Sequence, residues 1–90
     1  MNLSDTVTIP THVMAREVGD EIVVLDLAGG AYYGLDAVGV RIWQLLGDGK
    51  SLAEVCETLL EEFDVARDVL ETDLLRLLGE LRDKKLVLVS

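Results

Sequence analysis

The spacing of apolar residues changes period once along the chain, near Asp36. Before it, short β-branched runs alternate with turn residues. VMAREV (Val13–Val18) leads through Gly19-Asp20 to EIVVLDL (Glu21–Leu27), and Ala28-Gly29-Gly30 leads to AYYGL (Ala31–Leu35). A Gly-Asp pair between two such runs predicts a tight hairpin, because glycine accepts the positive φ that these turns need. The Gly29-Gly30 pair predicts a second reversal, so the segment reads as a three-stranded antiparallel meander. Thr6–Ile9 adds a short strand before Pro10. In the middle strand Val23, Leu25 and Leu27 form a uniformly apolar set expected to face the core, with Ile22, Val24 and Asp26 opposite. In the last strand Ala31, Tyr33 and Leu35 share one face, and Tyr32 and Gly34 share the other. That strand ends the meander, so it is a sheet edge unless the N-terminal segment covers it. Its unpaired N–H and C=O groups can accept a further chain as an added strand, or a second copy as a weak homodimer.

After Asp36 the period is helical. Asp36 is a good N-cap, and Val38, Ile42, Leu45 and Leu46 repeat on one face until Gly47-Asp48-Gly49 stops the helix. Ser51 and Glu54 form a capping box at the start of a second helix, whose core stripe is Leu52, Val55, Cys56, Leu59, Leu60 and Phe63. A third helix begins between Asp64 and Asp68, carries Leu70, Leu74, Leu77, Leu78 and Leu81, and ends near Asp83–Lys85. Basic residues there suit the negative end of its dipole. The closing LVLVS reads as a terminal strand. With no repeat or linker, the 90 residues read as a single α+β domain, a three-stranded antiparallel sheet followed by a three-helix bundle.

Composition narrows the function classes. Seventeen acidic against eight basic residues give a net charge of −9, which disfavours binding to nucleic-acid phosphates or to an anionic membrane. One cysteine and one histidine exclude an internal disulfide and give no metal-ligand cluster, so neither a metal nor a cofactor is expected. No apolar run approaches the roughly 20 residues of a bilayer span. MNLSDTVTIP has no cationic start or apolar h-region, so no secretory signal is expected and the expected location is cytoplasmic.

Catalytic candidates are few. His12 lies at a strand start with no nucleophile spaced beside it, and Cys56 lies on an apolar stripe where a free cysteine packs as a small hydrophobe. The glycines match neither GxGxxG nor GxxxxGK[ST]. Glu54, Glu57, Glu61 and Glu62 fall mostly on the wet face of the second helix. Asp73 leaves two readings. Its helical neighbours are Val69, Leu70, Arg76 and Leu77, so it is either an exposed acid paired with Arg76 or an acid at the rim of an apolar groove.

The order of strands and helices, with YYGLDAVGVRIWQLL as its most specific stretch and DLLRLLGELRDKKLV later, resembles the PqqD-like proteins, also called RiPP recognition elements. The resemblance covers about Val13–Val89. It implies a winged-helix-like fold without nucleic-acid function, which binds the leader segment of a ribosomally made precursor peptide. The leader would add to the edge of the third strand, Ala31, Tyr32, Tyr33, Gly34 and Leu35. Its side chains would face Val69, Leu70, Asp73, Leu74 and Leu77 of the third helix. The implied setting is lasso peptide biosynthesis, with a leader-cleaving cysteine protease and an ATP-dependent macrolactam synthetase as partners. The same resemblance allows pyrroloquinoline quinone biosynthesis with a radical enzyme. The topology by itself also allows a winged-helix transcription regulator, and a small enzyme subunit using Cys56 is the catalytic alternative.

Overall fold

The computed structural model describes Met1–Val89. Strands β1 (Val7–Thr8), β2 (Val13–Val18), β3 (Glu21–Asp26) and β4 (Tyr32–Leu35) precede helices α1 (Ala37–Gly47), α2 (Leu52–Glu62) and α3 (Arg67–Asp83), and β5 (Leu88–Val89) follows. β2, β3 and β4 form the expected antiparallel meander, and β1 pairs with β5 in a separate two-stranded sheet. The N-terminal segment therefore leaves β4 uncovered.

Local chemistry accounts for the turns. Gly19 has φ 63° in the two-residue hairpin between Val18 and Glu21. At the second reversal the paired glycines have separate reasons. Gly30 has φ 79°, where a Cβ is costly. Gly29 has an ordinary φ, but a Cβ on it would lie 2.7 Å from Asp26 Oδ2. That carboxylate accepts hydrogen bonds from the Ala28 and Gly29 amides, both at 2.9 Å. These bonds, Gly29's first, hold the Asp26 carboxyl below its usual range.

The facing of β3 corrects the sequence expectation. Val24 is fully buried, whereas Val23 and Leu25 are only half-buried and Leu27, beyond the strand end, is 63 % exposed. Both sets of β3 are apolar, so alternation alone could not choose between them. Register chooses. Val24 pairs with Ala15 and Tyr33, and Ile22 with Leu35, which places these side chains on one face. Tyr33 and Leu35 pack against the core.

The helices follow their sequence signals. Asp36 Oδ1 accepts from the Gly39 amide at 2.7 Å, and Ser51 and Glu54 exchange both capping-box bonds. Leu52, Val55, Cys56 and Leu59 of α2 are buried, as are Leu70, Leu74, Leu77, Leu78 and Leu81 of α3. With Ile42, Leu45 and Leu46 of α1, and Leu86 and Val87, they make one core that also receives Val13 and Val24 from the sheet. Burying each such side chain contributes roughly 1.5–3 kcal/mol.

Candidate functional site

β4 is an edge strand, and the hydrogen-bond parity shows which of its groups are free. In an antiparallel pair, residues that exchange both backbone bonds alternate with residues that exchange none. The Asp26 amide donates to the Ala31 carbonyl at 2.8 Å. Continuing that register, Val24–Tyr33 and Ile22–Leu35 are the bonded pairs. The Leu27 amide donates to the His12 carbonyl, so the odd residues of β3 serve β2 and the even ones serve β4. The N–H and C=O of Tyr32 and Gly34 therefore point away from the sheet, at the open edge.

Beside that edge lies a groove of about 270 Å³. Tyr33, Gly34 and Leu35 form one wall, Val69, Leu70, Asp73 and Leu77 of α3 the other, and Val38 and Ile42 of α1 also line it. Three of the expected residues, Ala31, Tyr32 and Leu74, lie outside this lining, and two, Gly34 and Leu70, enter it only in part. Ala31 precedes β4 and is half-buried, outside the groove lining. Tyr32 projects from the opposite sheet face and is 67 % exposed. Gly34 contributes backbone only. Leu70 is 4 % exposed at the groove floor, and Leu74 is fully buried behind the α3 wall. The contributions of α1 and of Val65, just before α3, were not legible as site residues, because their apolar character is equally that of core.

One hydrogen bond ties the two walls. The Tyr33 hydroxyl donates to Glu80 Oε2 on α3. This bond, with burial adding to it, pushes the Tyr33 pKa above its usual value. Glu80 also holds Arg76, whose Nη1 lies 3.4 Å from Oε1. The ion-pair partner of Arg76 is thus Glu80, and the Asp73 carboxylate acts on it only as a weaker, more distant charge. Asp36 is engaged as a helix cap. Asp73 is exposed and, among the described residues, has no hydrogen bond or ion pair.

The catalytic alternatives find little support in the geometry. His12 is an exposed residue 3.8 Å from Asp26 Oδ1. Cys56 is buried in the core, where desolvation pushes its thiol pKa up and away from the nucleophilic thiolate. Among the described residues no group of His, Cys, Asp or Glu is placed to hold a metal, and no helix is long and apolar enough to cross a membrane. Two of the three arginines of α3 are already paired, Arg67 with Glu57 at 2.7 Å and Arg76 with Glu80.

The fold is thus an antiparallel meander packed on three helices, with one sheet edge open beside a groove. Residues 21–87 match the model of the family described as coenzyme PQQ synthesis protein D, and the chain belongs to this PqqD family. Two solved structures are similar throughout. TbiB1 in complex with the TbiA(beta) leader peptide is 41 % identical, with a TM-score of 0.79 over 89 % of this chain and 93 % of that one. A lasso peptide synthetase B1 complexed with the leader peptide is 28 % identical, with a TM-score of 0.80 over 91 % and 96 %. Comparison with curated protein sequences finds no match. The expected PqqD-like, α+β architecture is thus borne out by both fold and family.

Proposed function

We propose that this chain is a non-catalytic recognition domain that binds the leader of a ribosomally made precursor peptide by strand addition to β4. The open edge of β4 along an apolar groove carries this reading. Main-chain bonds to Tyr32 and Gly34 would supply affinity, and alternate leader side chains entering the groove would supply selection. Tyr33, Leu35, Val69, Leu70, Asp73 and Leu77 meet those side chains, Leu74 supports the α3 wall from the core, and Ala31 continues the edge. The leader-bound state of both similar structures supports the same reading.

In this role the domain needs no cofactor. It presents the leader to a leader-cleaving cysteine protease and an ATP-dependent macrolactam synthetase in lasso peptide biosynthesis. A ribosomal substrate implies a cytoplasmic location. The family description favours one second reading, the same peptide-carrying role in PQQ synthesis, whereas the 41 % identity to TbiB1 supports the lasso setting.

The edge geometry gives a direct test. Proline lacks an N–H and is tolerated in sheets only where that N–H would face outward. Gly34 meets this condition, and a Cβ there has open space. Gly34→Pro is therefore expected to keep its stability within about 1 kcal/mol while abolishing binding in titration calorimetry with the cognate leader peptide. Unchanged binding by Gly34→Pro, or no binding by the wild type at tens of micromolar, overturns the proposal.

A further inference from the structure

Within the groove, charge is distributed unequally. The Arg76 guanidinium is neutralised by Glu80, and the Asp36 carboxylate is held by the Gly39 amide. Asp73 alone among the charged lining residues has no protein partner among the described residues. It stands between two apolar positions of the same wall, Val69 and Leu77, one helical turn to either side. A groove that desolvates an unpaired carboxylate when it fills would bind weakly, unless the incoming chain supplies a donor or a cation.

The spacing says where that cation belongs. An added strand sends every second side chain into the groove, at intervals of about 6.6 Å. Residues four apart on α3 advance by about 6 Å. A strand that runs along the α3 wall would thus bring successive inward side chains to successive turns, in the order of Val69, Asp73 and Leu77. We infer that Asp73 is a specificity-determining residue that selects leaders carrying lysine or arginine at one inward position, with apolar residues two positions to either side. The pattern is apolar–x–basic–x–apolar. The chain's net charge of −9 favours the approach of such a peptide but cannot choose the position. The assignment rests on the strand-addition reading above and deepens it.

A phage-displayed library of random linear peptides tests this without knowledge of the natural leader. It is selected against the wild type, Asp73→Asn, Asp73→Lys and Glu61→Lys. Glu61 is exposed on α2 outside the groove, so Glu61→Lys reproduces the charge change of Asp73→Lys elsewhere. Asp73 makes no internal bond, so its variants should fold, which circular dichroism checks. The wild type and Glu61→Lys are expected to enrich a basic residue flanked by apolar ones. Asp73→Asn should retain only the apolar positions, and Asp73→Lys should favour an acid at the central one. A selected peptide should bind Asp73→Asn about fivefold more weakly than wild type. Enriched apolar positions without a basic preference, or a basic preference that survives Asp73→Lys, overturn the role of Asp73. Enriched peptides that bind Gly34→Pro equally well, or no enrichment by any variant, instead sink strand addition, and the assignment of Asp73 with it.

Discussion

Tyr33→Phe removes the hydroxyl that joins β4 to α3 across the groove. The substitution keeps the ring that packs on the core and removes only the hydroxyl that Glu80 accepts. A hydrogen bond to a charged acceptor contributes about 1.5–3 kcal/mol. The Glu80 side chain is 43 % exposed, so water replaces part of the interaction, and about 1 kcal/mol is the better expectation. For a domain of this size that lowers Tm by roughly 4–8 °C. Denaturation of Tyr33→Phe, Glu80→Ala and the double variant should give a coupling energy of about 1 kcal/mol. The dependence on pH is a second constraint. The folded-state pKa of Tyr33 is raised, so the protonated phenol is the form that folding favours. Its contribution is complete below the unfolded tyrosine value of about 10 and disappears as pH rises through the higher folded value. The stability gap between wild type and Tyr33→Phe should be constant through neutral pH and narrow only above about pH 10. Equal stability at pH 7, or a gap that is already closing between about pH 7 and 9, refutes the argument.

Two further predictions separate groove from core. Val69→Ala alters an exposed groove residue and should weaken leader binding with a stability change within about 0.5 kcal/mol, whereas Leu74→Ala empties a fully buried site and should cost about 2–5 kcal/mol in urea denaturation. Val69→Ala binding like wild type would remove α3 from the site. The buried Cys56 should react with a thiol reagent only on unfolding, and Cys56→Ala should retain leader binding once its stability is matched; prompt labelling of the native protein would contradict its burial.

Much of the fold was legible because it depends on local chemistry. The Asp36 cap, the Ser51–Glu54 box and the leucines of α3 are short-range signals, and each stands where its spacing placed it. The facing of β3 was not legible. Val23 and Val24 are equally apolar, and only pairing with Tyr33 decided that Val24 turns inward. Leu74 illustrates the same limit on a helix. Spacing put it on the buried stripe, where it stands, whereas the family resemblance put it in the groove with Val69 and Leu77; rotation of α3 about its axis sets which leucines meet the groove.

By itself the sequence determined the meander, the three helices, the lack of an evident nucleophile–base pair and a strand able to receive another chain. Only the tertiary structure decided that this strand is free. The N-terminal residues could have paired with β4, but Val7–Thr8 pair instead with Leu88–Val89 at the far end of the sequence. Such long-range pairing leaves no periodic trace, because it depends on how the helices return the chain. The pairing of Asp73 was likewise undecided until Arg76 was found turned toward Glu80 and Tyr33, which leaves the carboxylate lining the groove with no ion pair among the described residues.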